Sequence, residues 1–216
     1  MTKFKHIIFD FDGTIADTSH IIIATMQATM REMRLDVATP EAIKQVIGLP
    51  LKDCFSNIYN GMSEQEAGRC AETYCRIFDI NKESLTPALF PLVKETLNAL
   101  RRMGITLCVA SSRSHGSLTE LLEMMGVRQL FAMIVGVDDV ARAKPHPEAV
   151  LRILDAMHMD REVTLMVGDM PVDIALGRNA GIRTCAVTYG NSSRMELTES
   201  HPDFIIDGFD KLIRVN

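Results

Sequence analysis

Acidic, hydroxyl and lysine side chains follow four short apolar runs of this sequence. They follow three of the runs directly, and a short segment separates the remaining run from its lysine. In open α/β sheets, ligands bind at the carboxyl ends of the strands, so these side chains are candidates for one shared site. In chain order they are Asp10, Asp12 and Thr14; Ser111, Ser112 and Arg113; Lys144; and Asp169 and Asp173.

These residue types fit a magnesium-assisted transfer of a phosphoryl group. The carboxylates of Asp10 and Asp169, with a backbone carbonyl near Asp12, offer the oxygen ligands that Mg²⁺ prefers. Asp10 can attack phosphorus and form an aspartyl phosphate, while Asp12 can protonate the leaving oxygen and later activate water. Lys144 and the Ser111 hydroxyl can hold the phosphoryl oxygens and stabilise their charge.

Three neighbouring residues complete the candidate site. Thr14 and Ser112 are further candidates to bind phosphate, and Asp173 is expected to orient Lys144 or a metal-bound water. Each also has a simpler explanation, because hydroxyl residues after strands often occupy turns and acids at helix starts often act as caps. The hypothesis therefore depends on the four motifs together and on their order.

The segments that carry these residues alternate between predicted strands and predicted helices. This alternation indicates a parallel sheet with helices on both faces. Continuous apolar runs indicate strands that are covered on both sides. The predicted strands are 6–11, 105–110, 132–136, 163–167, 183–187 and 204–206, and the predicted helices are 91–103, 115–125, 147–157 and 172–180, with one more helix at the end of the chain.

Residues 17–85 contain predicted helices only. Apolar residues recur at helical spacing from about 17 to 34, where Thr18 or Ser19 could cap the helix, and further helices are predicted near 40–47, 50–59 and 64–79. We therefore predict an α/β fold with a Rossmann-like parallel sheet. Its catalytic core is formed by residues 1–16 and 86–216, and an all-helical cap, residues 17–85, is inserted after the first strand.

Composition narrows the possible partners and the compartment. The 216 residues include 23 basic and 28 acidic side chains without a dense basic block, which argues against binding to nucleic acid or to a membrane surface. The five cysteines form no CxxC pair, and the first apolar run is interrupted by Asp10, which predicts a reduced, cytoplasmic protein without a secretory leader. These features do not indicate the oligomeric state.

Taken together, the motifs resemble those of the haloacid dehalogenase-like hydrolases. The helical block also matches in position and size the cap of the phosphoglycolate phosphatase-like branch. The resemblance implies a Rossmann-like core, Mg²⁺ dependence, an aspartyl-phosphate intermediate and a small phosphorylated metabolite as substrate. It is carried by FDFDGTIADT with Asp10, Asp12 and Thr14, LCVASSR with Ser111, AKPHPE with Lys144, and VGDMPVD with Asp169 and Asp173.

Three further residues are candidates to contact the substrate. The segment VIGLPL, residues 46–51, looks like the substrate-specificity loop of the same branch, which makes Gly48 and Lys52 candidates. Arg113 stands where phosphatases of this branch often have lysine, so a substrate contact is expected there with a different cation.

Other functions remain alternatives at this stage. Sugar-phosphate mutases of the branch carry a cap histidine soon after the first motif; Ile22 takes the matching position here, with His20 nearby, which favours a phosphatase. A carbon–halogen hydrolase of the family does not need the acid at Asp12, and a non-enzymatic module would be expected to have lost an acid. Phosphoglycolate, inorganic pyrophosphate, nucleoside monophosphates and sugar phosphates all remain open as substrates.

Overall fold

The computed structural model describes residues 3–81 and 87–215, and its strands form a large and a small sheet. In chain order the strands are β1 His6–Phe9, β2 Ala16–Asp17, β3 Ala88–Leu89, β4 Thr106–Ala110, β5 Met133–Val135, β6 Thr164–Gly168, β7 Arg183–Val187 and β8 Phe204–Ile206. The large sheet has six parallel strands in the order β5-β4-β1-β6-β7-β8. The strand that carries the first motif, β1, therefore lies inside the sheet, between β4 and β6.

Helices connect successive strands of the large sheet. They are α1 Ser19–Glu32, α2 Pro40–Lys44, α3 Leu51–Ile58, α4 Glu64–Asn81, α5 Val93–Arg102, α6 His115–Met124, α7 Glu148–Ala156, α8 Pro171–Asn179, α9 Arg194–Glu199 and α10 Leu212–Val215. Short 3₁₀ turns cover Arg128–Leu130, Val137–Asp139, Arg161–Val163 and Phe209–Lys211. None of the helices in the described ranges is long and apolar enough to span a membrane.

Both faces of the large sheet are buried. Along β1, Ile7 and Phe9 belong to one hydrophobic cluster, while Ile8 between them belongs to the other. Side chains alternate between faces along a strand, so an uninterrupted apolar run supplies both clusters at once. The α/β fold with a parallel, Rossmann-like sheet predicted from the sequence is confirmed.

Helices α1 to α4 form a helical insertion between β2 and β3. They pack on one another, α4 against both α1 and α3, around buried side chains that include Met26, Met30 and Phe55. The chain leaves and re-enters the sheet domain at a two-stranded antiparallel ribbon, in which Ala16 pairs with Leu89 and Asp17 with Ala88. The predicted boundary at 85 and 86 lies outside the described residues, and the division into core and cap stays a prediction.

The structure differs from the sequence expectations at several element ends. The first strand ends at Phe9 and not at residue 11, so Asp10 already lies in the loop. Helix α1 begins at Ser19, but neither suggested cap is observed, because the side chain of Thr18 makes no capping hydrogen bond. The β2–β3 ribbon and helix α9 were not predicted.

Candidate active site

The candidate residues of the four motifs meet at the carboxyl edge of the large sheet. Asp10 follows β1 directly, Ser111 follows β4, and Asp169 follows β6. Parallel strands end at the same edge, so three residues that are far apart in the chain become neighbours. Lys144 reaches the same place from the loop before α7 and Asp173 from the first turn of α8.

Three carboxylates form the centre of the site. One oxygen each from Asp10, Asp169 and Asp173 lies within 4.8 Å of the other two, and all three residues are buried. Burial raises the pKa of Asp10 and of Asp169, and in both cases the negative charge of Asp173 raises it further. The sequence assigned Asp173 only a supporting role, whereas the structure places it among the carboxylates themselves.

Lys144 is the cation of this cluster. Its Nζ donates to Asp10 Oδ1 at 2.5 Å and to Asp173 Oδ1 at 2.8 Å, and 3% of its side chain is exposed. Burial by itself would lower the pKa of Lys144, but the charges of Asp10 and Asp173 outweigh burial and raise it above its ordinary value. The amine is therefore held in its charged form beside Asp10.

Asp169 is held in place by neutral donors. Oδ1 accepts a hydrogen bond from the Thr14 hydroxyl at 3.0 Å, and Oδ2 accepts from the backbone N–H and the side-chain amide of Asn191 at 2.7 and 2.9 Å. Thr14 was predicted to bind phosphate, but its hydroxyl is directed to Asp169. Gly13 allows the close approach: its φ is +80°, and a Cβ there would lie 2.2 Å from Asp169 Oδ2.

Asp12 has different partners from Asp10. Its carboxylate accepts hydrogen bonds from Arg113 Nε at 2.8 and 2.9 Å, from Arg113 Nη2 at 2.8 Å and from the Thr18 hydroxyl at 2.6 Å. The carboxylate is not a member of the three-carboxylate cluster. The metal contact predicted for Asp12 through a backbone carbonyl stays a prediction.

Arg113 is buried against Asp12, although the sequence suggested a substrate contact. Both side chains of the pair are 11% exposed. The guanidinium carbon also lies 5.8 Å from the ring centre of Phe11 and 5.1 Å from that of Phe78, a residue of the helical insertion. The charge of Arg113 is thus already paired with Asp12, and its guanidinium carbon lies over two aromatic rings.

The remaining predicted residues line the boundary between the sheet and the insertion. Ser111 is buried, and its hydroxyl accepts the backbone N–H of Arg113 at 3.3 Å. Ser112, predicted to bind phosphate, donates instead to the carbonyl of Gly48 at 2.6 Å, which ties the insertion to the sheet domain. Lys52 is exposed at the start of α3.

A cavity of about 630 Å³, the central cavity, opens above Asp10 and Asp12. Its walls come from the loop after β4 and from helices α1, α3 and α4 with the loop between α2 and α3. Gly48, Lys52, Ser111, Ser112 and Arg113 all line it. Ile22, which the sequence predicts to take the position of the mutase histidine, lines it as well, whereas His20 is exposed and is not part of the lining.

The structure adds contacts that the sequence interpretation missed. Asn191 binds Asp169, Tyr189 donates its hydroxyl to the carbonyl of Thr14 at 2.9 Å, and Thr18 binds Asp12. Asn191 and Tyr189 follow β7, one of the strands that the sequence predicts. Their position shortly after a predicted strand is the signal in the sequence that could have identified these two residues. No sequence pattern distinguishes Thr18 from an ordinary helix cap.

The fold and the site place the protein in a known family. A family model described as haloacid dehalogenase-like hydrolase matches residues 7–187, and the chain belongs to that family. Among its relatives is a pyrophosphatase, PpaX of Oceanobacillus iheyensis, which is 34% identical over 98% of this chain and 96% of its own length.

Solved structures agree with this assignment. A haloacid dehalogenase-like hydrolase from Bacteroides fragilis superposes with a TM-score of 0.93 at 28% identity, covering 97% of this chain and all of its own. A structure described as a predicted phosphoglycolate phosphatase, from Haemophilus somnus, gives a TM-score of 0.91 at 25% identity, with 100% of this chain and 99% of its own covered. The architecture, including the helical insertion, is therefore shared along the whole chain.

Proposed function

We propose that this hydrolase is a Mg²⁺-dependent phosphatase that cleaves small phosphate monoesters through an aspartyl phosphate on Asp10. The proposal rests on the arrangement around Asp10. This carboxylate is buried at the end of a central strand and accepts a hydrogen bond from Lys144. A second carboxylate, that of Asp12, lines the same cavity but has different partners. The names of the relatives support the same reaction class.

The charges of the site fit a divalent cation. Asp10, Asp12, Asp169 and Asp173 are buried, and among the described residues that hydrogen-bond to them the cations are Lys144 and Arg113. Two negative charges are left without a counter-charge, and burial makes such a deficit costly. Asp10 and Asp169, with Asp173 beside them, would hold Mg²⁺, which supplies charge neutralisation between the carboxylates and a substrate phosphate.

The residues of this chain divide the proposed reaction into two steps. In the first, an oxygen of Asp10 bonds to phosphorus, the bond to the leaving oxygen breaks, and protonated Asp12 donates its proton to that oxygen. In the second, water attacks the phosphorus, Asp12 takes its proton, and Asp10 is released as a carboxylate. Arg113 and Thr18 donate hydrogen bonds to the Asp12 carboxylate and keep it in one orientation.

Substitution of the two acids separates these steps. Asp10→Asn is expected to be inactive, because an amide is a far weaker nucleophile than a carboxylate. With p-nitrophenyl phosphate, whose leaving group needs no proton, Asp12→Asn is expected to release a burst of up to about one equivalent of nitrophenol and then stall. An alkyl phosphate gives no burst, because its leaving group needs the proton.

Mass spectrometry of the acid-quenched Asp12→Asn protein identifies the intermediate. The expected result is one added phosphoryl group, mapped to Asp10. Steady turnover by Asp10→Asn, or a phosphoryl group on a serine or histidine, would refute the mechanism.

Inorganic pyrophosphatase activity is the second candidate. It is favoured by the relative from Oceanobacillus iheyensis, which is named a pyrophosphatase. The mutase alternative is less favoured, because Ile22 lines the central cavity where a mutase would need a histidine. Phosphate release from pyrophosphate and from a panel of monoesters, measured with Mg²⁺ and with EDTA, separates the two candidates and tests the metal requirement.

A further inference from the structure

The helical insertion lines the central cavity mainly with apolar side chains, and the charged residues that it adds to the lining are Lys52, Asp53 and Asp79. Ile22 and Met26 come from α1, Ile47 and Leu49 from the following loop, and Tyr74 and Phe78 from α4. The rings of Tyr74 and Phe78 are stacked, with centroids 6.1 Å apart and planes 12° from parallel. A volume of about 630 Å³ is far more than a phosphate group needs, so the space accommodates a substantial leaving group.

Cations are scarce in the same cavity. Of the described residues that line it, Lys52 and Arg113 carry positive charge. Arg113 is already paired with Asp12, so Lys52 is the lining cation that remains for a ligand, against the acids Asp53, Asp79 and Glu120 of the same lining. A leaving group with its own negative charge would therefore enter an apolar, acid-lined space with little to offset its loss of hydration.

The hydroxyl of Tyr74 is a polar group at which a ligand could bind. Tyr74 is 7% exposed and lines the cavity, and no other described residue hydrogen-bonds to its hydroxyl. The hydroxyl is not among the fully buried side-chain atoms that lack a partner, so a ligand in the cavity could exchange a hydrogen bond with it.

We infer that the substrate is a phosphate monoester of a mainly apolar, ring-sized alcohol and not a compound with a second anionic group such as pyrophosphate or phosphoglycolate. The inference rests on the proposed function for the position of the phosphate, next to Asp10. The leaving group then occupies the space beside Tyr74 and Phe78.

Two matched phosphonates test the inference without turnover. Benzylphosphonate and phosphonoacetate share a CH₂–phosphonate group and differ in carrying a phenyl ring or a carboxylate. Titration calorimetry with Mg²⁺ in the buffer is expected to show at least about tenfold tighter binding of benzylphosphonate, which corresponds to about 1.4 kcal/mol. Equal affinities, tighter binding of phosphonoacetate, or no binding of either probe would overturn the inference.

Two variants of α4 test whether the cavity itself sets the preference. Cys75 is exposed but lines the cavity, so Cys75→Lys adds a cation there and is expected to reduce the affinity ratio at least about fivefold. Ile80 is 69% exposed and is not part of the lining, so Ile80→Lys adds the same charge elsewhere and is expected to leave the ratio within about twofold. If both variants change the affinity ratio equally, the net charge of the protein and not the charge in the cavity sets the ratio. That result would contradict the inference.

Hydrolysis of the corresponding esters separates this inference from the proposed function. Benzyl phosphate is expected to exceed both phosphoglycolate and pyrophosphate in kcat/KM. If pyrophosphate or phosphoglycolate is the better substrate, the protein is a phosphatase but the inference is wrong. If benzylphosphonate binds with the expected preference and no ester is hydrolysed, the cavity is described correctly and the proposed function is wrong.

Discussion

The pair formed by Arg113 and Asp12 provides a quantitative test of how this site is held together. Arg113→Met removes the guanidinium but keeps an unbranched apolar side chain against Phe11 and Phe78. Asp12 then loses its three contacts with Arg113 while it stays buried. Removal of one partner of a buried pair costs about 3–5 kcal/mol. The pair borders a cavity, so we expect the lower end, about 3 kcal/mol, in the free energy of unfolding.

A double-mutant cycle isolates the electrostatic part of this effect. In Arg113→Met/Asp12→Asn the uncompensated charge is gone, so the double variant is expected to be more stable than the sum of the single changes predicts, by about 2 kcal/mol. Urea unfolding at pH 7, followed by circular dichroism, measures all four proteins. Arg76→Met is the control, because the Arg76–Glu32 pair is about half exposed and is worth under about 1 kcal/mol. Additivity to within about 0.5 kcal/mol would refute a stabilising contact between Arg113 and Asp12.

Two further predictions concern the carboxylate cluster. Asp169→Asn should weaken Mg²⁺ binding at least about tenfold while the fold is retained, because an amide is a poorer ligand than a carboxylate. Undiminished activity of this variant at limiting Mg²⁺ would contradict the assignment of Asp169 as a metal ligand. Gly13→Ala should displace Asp169 and abolish activity, because its Cβ would lie 2.2 Å from Asp169 Oδ2. Gly61→Ala is the control, because Gly61 has a φ of +86° and no atom lies within 4 Å of the added Cβ. This variant should lose only about 1–2 kcal/mol of stability and keep its activity. Equal loss of activity in Gly13→Ala and Gly61→Ala would rule out the steric explanation.

The sheet was predictable because its determinants are local. Residues 107–110 and 165–167 are apolar without interruption, and a strand buried on both faces requires that pattern. The β2–β3 ribbon was not predictable in the same way, because each of its strands has only two residues. The two strands are hydrogen-bonded to each other although the whole helical insertion separates them in the chain. Short strands of this kind have no sequence period to detect.

The position of the site was likewise predictable, whereas the partners within it were not. Asp10 and Asp169 could be found because each directly follows an apolar run. Which residue hydrogen-bonds to each acid depends on side-chain geometry at the edge of the sheet. Arg113 was therefore expected at the substrate, although the structure directs it to Asp12, and Thr14 was expected at a phosphate, although it binds Asp169.

The position of β1 within the sheet has a consequence for how the protein fluctuates. Its backbone is hydrogen-bonded to β4 on one side and β6 on the other, and the amide of Asp10 continues the ladder by donating to the carbonyl of Val167 at 2.9 Å. Amide hydrogens in such a strand exchange with solvent only when the sheet as a whole opens, while short helices such as α2 exchange through local openings. We therefore expect the amide of Asp10 to exchange more slowly than the amides of α2, and local openings of α2 to leave Asp10 in place.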